Sequence, residues 1–118
     1  MALNQLGRPA RRKSVYGHQT SAGTESVYTC PPNCASELTF IHVHNSSGNV
    51  DIEIEWYIDE DNYTSHFIEG KNLGAGEYLQ WADIELIMQP GDEIRVTTTG
   101  GHVDSILTVT ETFAQTRS

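Results

Sequence analysis

One nine-residue run, Val50–Ile58, constrains the fold of this chain more than any other segment. Its sequence is VDIEIEWYI, in which apolar and polar residues alternate. Successive side chains of a β-strand point to opposite faces, so this run predicts a strand with one face in a core and acidic residues in water. The predicted buried face consists of Val50, Ile52, Ile54, Trp56 and Ile58. Similar short runs follow as far as Phe113, so the chain is predicted to be all-β.

The spacing of turns favours a sandwich. Gly, Asn and Pro signals recur about every 8–12 residues with no helical pattern between them. We therefore expect an antiparallel β-sandwich, jelly-roll-like, with seven or eight strands over residues 24–113 and a short C-terminal tail at 114–118. Strands at 38–44, 50–58 and 63–68 are expected to form a meander. Pro90 and Gly91 occupy the positions that a type II turn prefers.

Residues 1–23 are predicted to form an extended N-terminal arm outside the sandwich, because glycines and a proline interrupt any strand pattern there. The arm is basic: Arg8, Arg11, Arg12 and Lys13 are four of the seven basic residues, and the first 13 residues contain no acid. The rest of the chain carries three basic and 16 acidic residues, a net charge of −13. We expect the four basic side chains to contact a capsid or other partner surface, and the sandwich to fold without the arm.

Several classes of protein are disfavoured. No apolar run approaches the ~20 residues that a membrane helix needs, and the first residues, MALNQL, lack the features of a signal peptide. We expect no membrane or specific nucleic-acid partner, because the body is strongly acidic. The sequence does not assemble a nucleophile with its base, so we expect no enzyme activity and no cofactor.

Cys30 and Cys34 enclose two prolines and an asparagine in a short turn. Closing so small a ring as a disulfide stabilises a fold by about 2 kcal/mol in the chain-entropy model. A disulfide is the favoured prediction, with free thiols as the second. Because His42 and His44 follow closely, a Cys₂His₂ zinc site is a third prediction. The segment between the cysteine pair and the histidine pair is shorter than in the usual zinc loops.

Two further patterns resemble catalytic sites. The pair His42 and His44, with Asp92 and His102, imitates a cupin metal site, but the glutamate that should follow His44 is missing. We therefore expect Ile41 and Val43 in the core and the histidines on the outer face.

The acidic residues are interpreted as solvated, with calcium binding and glycoside hydrolysis as alternatives. They are Asp51, Glu53 and Glu55 on one strand and Asp59, Glu60 and Asp61 in a turn. Trp56 and Trp81 are predicted to lie in the core or a subunit interface, and an exposed aromatic platform for carbohydrate is the alternative.

An ordered series of motifs carries a family resemblance. The segments VYTCPPNC at 27–34, IHVHNSSG at 41–48, WY at 56–57, KNLGAGEYL at 71–79 and LIMQPGDEIRVT at 86–97 resemble small β-sandwich virion structural proteins of tailed bacteriophages, many of which infect marine bacteria and cyanobacteria. The resemblance covers about residues 24–113 and excludes the basic arm.

The resemblance implies a non-enzymatic virion protein, and we expect a capsid decoration (cement) protein on the capsid surface. Its partners would be the major capsid protein or other virion proteins, and a homotrimer would suit local threefold positions of a capsid. The alternatives are a neck or tail accessory protein and a carbohydrate-binding adhesion module. A cupin-like metalloenzyme ranks last.

Overall fold

A computed structural model describes residues 10–113, which form nine β-strands in two antiparallel sheets. The strands are β1 (Ala10–Gln19), β2 (Gly23–Thr29), β3 (Cys34–Asn45), β4 (Val50–Ile58), β5 (Tyr63–Leu73), β6 (Tyr78–Trp81), β7 (Leu86–Met88), β8 (Glu93–Thr98) and β9 (Val103–Phe113). The predicted all-β sandwich is confirmed, with one strand more than the largest predicted number. In the described part, no helix is long and apolar enough to cross a membrane.

The strand order is that of a jelly roll. Sheet I has the order β1-β9-β3-β6, with β7 also paired to β3, and sheet II has the order β2-β8-β4-β5. The first and last strands are neighbours, and the chain repeatedly crosses from one sheet to the other, as in jelly-roll domains.

The predicted meander is wrong, because β3 and β4 lie in opposite sheets and only β4 and β5 pair as a hairpin. Both strands have an apolar face to bury, and placing them in separate sheets lets those faces meet across the core. The buried Asn45 supports the crossing, since its Nδ2 donates hydrogen bonds to the carbonyls of Gly48 (2.8 Å) and Leu73 (3.1 Å).

The core between the sheets confirms the predicted alternation of β4 for its first five residues, whereas Ile58, also predicted to be buried, is only partly buried at the end of the strand. Val50, Ile52 and Ile54 are at most 3% exposed, whereas Trp56 is half-buried and packs against the margin of the core. Burying such aliphatic side chains contributes about 1.5–3 kcal/mol each. The other buried hydrophobic residues are Val27, Tyr28, Cys30, Cys34, Leu38, Ile41, Val43, Leu73, Met88, Ile94, Val96, Val103, Leu107 and Val109.

The predicted arm is wrong for residues 10–19, which form β1 inside sheet I. This strand pairs with β9 along its whole length, from Ala10 opposite Thr112 to Gln19 opposite Val103. The sandwich therefore begins well before residue 24. Arg8 and the predicted tail at 114–118 lie outside the described residues.

Gly17 explains why the sequence pattern was misleading. A Cβ atom at this position would lie 2.8 Å from Glu25 Oε1 and 3.2 Å from Val27 Cγ2. Glycine thus suits the close approach of β1 to β2, where a larger side chain would displace Glu25 and press on Val27, and it does not mark a loop.

The turn at residues 89–92 has the predicted geometry. Gly91 has a φ angle of +90°, and the Asp92 amide donates to the Gln89 carbonyl at 3.0 Å. The buried Asp92 carboxylate accepts hydrogen bonds from Trp56 Nε1 (3.2 Å) and from the backbone amides of Asp59 (3.1 Å) and Gln89 (3.0 Å). Asp92 therefore fixes the end of β4 to the start of β8.

Candidate functional site

The outer face of sheet I exposes a group of large apolar and aromatic side chains. We call Tyr16, Phe40, His42, Tyr78 and Ile106 the aromatic patch. Tyr16 is 81% exposed, Tyr78 58% and Ile106 40%. The strand register aligns Tyr16, Ile106 and His42 in one row across β1, β9 and β3. Four neighbouring strands therefore build this patch, because Tyr78 lies on β6, which pairs with β3 on the side away from β9.

Stacking organises the centre of the aromatic patch. The His42 ring stacks on Tyr78, with centroids 5.2 Å apart, and lies parallel to the Phe40 ring at 6.5 Å. Its Nδ1 also shares a hydrogen bond with Gln80 Oε1 at 2.9 Å. Each aromatic pair of this kind contributes about 0.5–1.5 kcal/mol in addition to the free energy gained by burying its surface area. The patch thus presents oriented rings with few formal charges.

Further histidines border the aromatic patch. His18 Nδ1 shares a hydrogen bond with Asp104 Oδ1, and the His18 ring lies edge-on to His102 with centroids 6.2 Å apart. His44 lies opposite Asp104 on the next strand. Four of the five histidines of the chain therefore lie on or beside this face of sheet I.

Two of the basic residues predicted to contact a partner are used within the fold. Arg11 Nη2 lies 2.9 Å from Glu111 Oε1, and Lys13 Nζ lies 3.5 Å from Glu111 Oε2. The Glu111 side chain is fully buried, and its Oε2 accepts a hydrogen bond from the Tyr28 hydroxyl at 2.6 Å. Arg11 and Lys13 therefore neutralise a buried carboxylate that joins β1, β2 and β9.

These contacts shift the ionisation of the buried groups. Burial alone would raise the pKa of Glu111, but hydrogen bonds from Tyr28 and Arg11 and the charge of Lys13 hold it below its ordinary value. Burial, together with the hydrogen bond to Glu111, raises the pKa of Tyr28. Glu111 is consequently an anion held by three donors at neutral pH.

Arg12, the third described basic residue, points to the opposite side of β1. It lines an open groove of about 620 Å³ together with Glu37, Phe40 and Asp83. The groove lies where the partner of β3 changes from β6 to β7. Among Arg11, Arg12 and Lys13, Arg12 is therefore the residue that adjoins the aromatic patch.

Cys30 and Cys34 are buried free thiols in the structure. Cys30 Sγ lies 3.2 Å from Ser36 Oγ, which is itself 2.6 Å from the Tyr28 hydroxyl. Burial raises the pKa of both thiols, so the nucleophilic thiolate is scarce at neutral pH. The disulfide between them stays a prediction, which an intact mass two hydrogens below the reduced value would establish.

We expect the folded, reduced chain to react slowly with a thiol-specific reagent. The rate should be about tenfold or more below that of the same chain in urea, because both thiols are buried and their pKa is raised. Absorbance-monitored modification with and without urea measures both rates. Equal rates would show that the turn at 30–34 opens readily.

The outer face of sheet II differs in character, because carboxylates gather there around one imidazole. His66 Nε2 lies 2.7 Å from Glu53 Oε2, 3.2 Å from Glu55 Oε2 and 3.9 Å from Glu69 Oε2. Burial and the neighbouring Glu53 raise the pKa of Glu55. Glu53 and Glu55 are therefore not only solvated, as predicted, but also contact His66. The alternation along β4 did not predict this contact, because His66 lies on another strand.

The residues of the cupin-like pattern lie apart. His42 belongs to the aromatic patch, His102 is exposed beside His18, and Asp92 accepts its three hydrogen bonds in the turn before β8. Within residues 10–113, one group of side chains brings its potential metal-ligating atoms within 4.8 Å of one another. Its members are Glu53, His66 and Glu69.

No protein-family profile matches this chain, and no curated protein matches it. Among solved structures, VP2 of the infectious bursal disease virus subviral particle is similar, with a TM-score of 0.54 and 11% identity over 92% of this chain. The chain spans only 34% of that VP2 chain. A protein of Bacillus endospore appendages, which form disulfide-linked pili, also has a TM-score of 0.54 and 11% identity, over 92% of this chain and 91% of its own. At this identity the likeness shows a shared fold.

Proposed function

We propose that this chain is a virion structural protein of a tailed bacteriophage, a capsid decoration protein that binds the major capsid protein and stabilises the head. The observation that carries the proposal is the aromatic patch. Its residues point away from a core that is already closed between the two sheets. Exposed apolar groups arranged together on a soluble domain are typical of protein interaction sites.

The distribution of charge gives the proposed orientation. Sheet II gathers Glu53, Glu55 and Glu69 at one point of its outer face, whereas on sheet I the carboxylates of Asp104 and Glu37 lie at the border of the aromatic patch and not within it. Desolvating the patch therefore costs less than desolvating the acidic face. We place sheet I against the capsid and sheet II towards solvent, with Arg12 at the margin of the contact.

The fold supports an assembly role. Of the similar structures, one comes from a subviral particle and another from pili, so a sandwich of this fold occurs in assembled structures. The motif series that resembles phage virion proteins falls within the described residues and spans strands and the turns between them. A homotrimer remains the proposed oligomer, and sedimentation of the purified chain measures its mass.

Electron microscopy of the intact particle tests the location. The proposal requires density for this chain on the outer capsid surface with sheet I facing the capsid protein. Density at the neck or tail would instead assign an accessory role there, and absence of the chain from the particle would refute a virion role.

We expect the double substitution Tyr16→Asp and Ile106→Asp to abolish particle binding while leaving the fold intact. Both side chains are exposed and adjacent in the aromatic patch, so the change places two charges where the contact would be dry. Cosedimentation with particles that lack the chain measures binding. Tyr63→Asp is the matched control, since Tyr63 is 62% exposed on β5 of sheet II. Binding that fails only in the control would place the contact on sheet II.

A further inference from the structure

The carboxylates around His66 form a compact set of metal-ligating atoms. We call Glu53, Glu55, His66 and Glu69 the sheet II cluster. Three carboxylate oxygens lie within 2.7–3.9 Å of one ring nitrogen, His66 Nε2. Nearest-ligand atoms of a tetrahedral zinc ion with bonds of ~2.0–2.2 Å are about 3.3 Å apart. The ligand atoms of Glu53, His66 and Glu69 all lie within 4.8 Å of one another, so modest side-chain shifts would centre an ion among them.

The local backbone brings these residues together. In a regular strand, His66 and Glu69 would point to opposite faces because they are three residues apart. The β4–β5 register shifts between Ile54 and Glu55, where His66 pairs with Glu55 but Ile68 pairs with Ile54. The extra residue in β5 is a bulge, which turns Glu69 to the face that carries His66. Bulges of this kind often re-aim side chains at binding sites.

We propose that the sheet II cluster binds one divalent transition-metal ion, of which zinc is the representative, through His66 Nε2 and the carboxylates of Glu53 and Glu69, with the Glu55 carboxylate beside the site. An imidazole nitrogen with carboxylate oxygens suits zinc and its first-row neighbours, whereas calcium and magnesium prefer oxygen ligands alone. The imidazole therefore separates this set from an ordinary acidic surface.

Charge favours an ion at this position. Arg95 lies opposite Glu55 on β8, but its Nε donates to Glu93 Oε1 at 2.9 Å and its guanidinium lies over the Tyr57 ring at 4.2 Å. Arg95 is thus engaged beside the cluster. A divalent ion would balance the charge of the crowded carboxylates, because it brings two positive charges to one point among them.

The position of the cluster gives the ion a structural role. Glu53 and Glu55 belong to β4, while His66 and Glu69 belong to β5, the edge strand of sheet II. A metal ion would therefore cross-link the edge strand to its neighbour and raise the stability of this hairpin. This inference concerns the face opposite the aromatic patch and does not depend on capsid binding.

Zinc titration of the metal-free full chain tests the proposal. Calorimetry should show one zinc ion per chain, and zinc should raise the melting temperature. His66→Gln and Glu53→Gln should each weaken zinc binding by at least about tenfold, since the loss of even an outer partner of a metal ligand costs about 10- to 100-fold. His44→Gln is the matched control, because His44 lies on sheet I, and it should bind zinc like the unaltered chain.

Cobalt substitution provides a second readout that does not rely on affinity. Cobalt bound by the cluster should give visible absorption bands that are absent in His66→Gln and present in His44→Gln. The proposal is overturned if the unaltered chain binds no zinc, or if His66→Gln binds zinc as tightly as the unaltered chain does. It is also overturned if only His44→Gln loses binding. Circular dichroism of each variant establishes that the fold is retained.

Discussion

Deletion of residues 1–22 is expected to prevent folding. The deletion removes β1 and exposes the whole backbone edge of β9, which pairs with β1 from Val103 to Thr112. It also removes Arg11 and Lys13 and leaves the buried carboxylate of Glu111 with Tyr28 as its donor. A buried charge without its partners costs several kcal/mol, and a domain has a total stability of only about 5–15 kcal/mol. The truncated chain should show no cooperative thermal transition.

Deletion of residues 1–9 is the matched control, because it removes Arg8 but keeps β1 and its basic residues. This shorter deletion should retain a cooperative transition by circular dichroism. If the chain without residues 1–22 melts at the temperature of the full chain, then β1 contributes nothing to stability. The basic segment would then be a separable arm, as its composition alone suggested.

The sequence predicted the positions of individual strands and turns better than the pairing of the strands. Alternation located β4 at its observed bounds, and Pro90 with Gly91 located the turn before β8. Both are local signals, set by side-chain direction and backbone dihedrals. The partners of each strand were not predicted, because alternation states which side of a strand is buried and not which sheet holds it. The expected meander failed for this reason.

The N-terminal strand was missed for a related reason. Glycine in a short polar segment usually indicates a loop, but Gly17 lies within a strand at the close approach of β2. The pairing of Arg11 and Lys13 with Glu111 spans about the whole chain, and only the fold brings these residues together. A basic cluster in sequence was therefore interpreted as a partner contact when half of it neutralises a buried acid.

The candidate surfaces were predicted only in part. The outward direction of His42 and His44 followed from the burial of Ile41 and Val43, and the structure confirms it. The aromatic patch itself needs the register of β1, β9 and β3, which relates residues far apart in sequence. The sheet II cluster needs a bulge in β5. A bulge shifts the alternation by one residue, which is hard to recognise in the sequence of a single exposed strand.

Glu111→Ala is expected to destabilise the protein by about 1–3 kcal/mol at neutral pH, chiefly because it leaves a buried hydroxyl without its acceptor. The substitution leaves Arg11, Lys13 and the buried Tyr28 hydroxyl without the acceptor that joins β1 and β2 to β9. Urea denaturation of the variant and of the unaltered chain measures the difference. Glu111→Gln is the matched control: its neutral amide keeps an acceptor for Tyr28 but loses the charge, so its stability should lie between the two.

The acid dependence of stability separates this ion-paired network from simple packing. The pKa of Glu111 is lowered in the folded state, so its contribution is present above the ordinary pKa of a glutamate and is lost as the pH falls through the lowered value. The unaltered chain should therefore lose more stability on acidification than Glu111→Gln does, and the two denaturation midpoints should converge at low pH. If the difference between them stays constant from neutral to acidic pH, the charge of Glu111 does not hold β1 in the sandwich. The backbone hydrogen bonds between β1 and β9 would then be sufficient to hold β1 in sheet I.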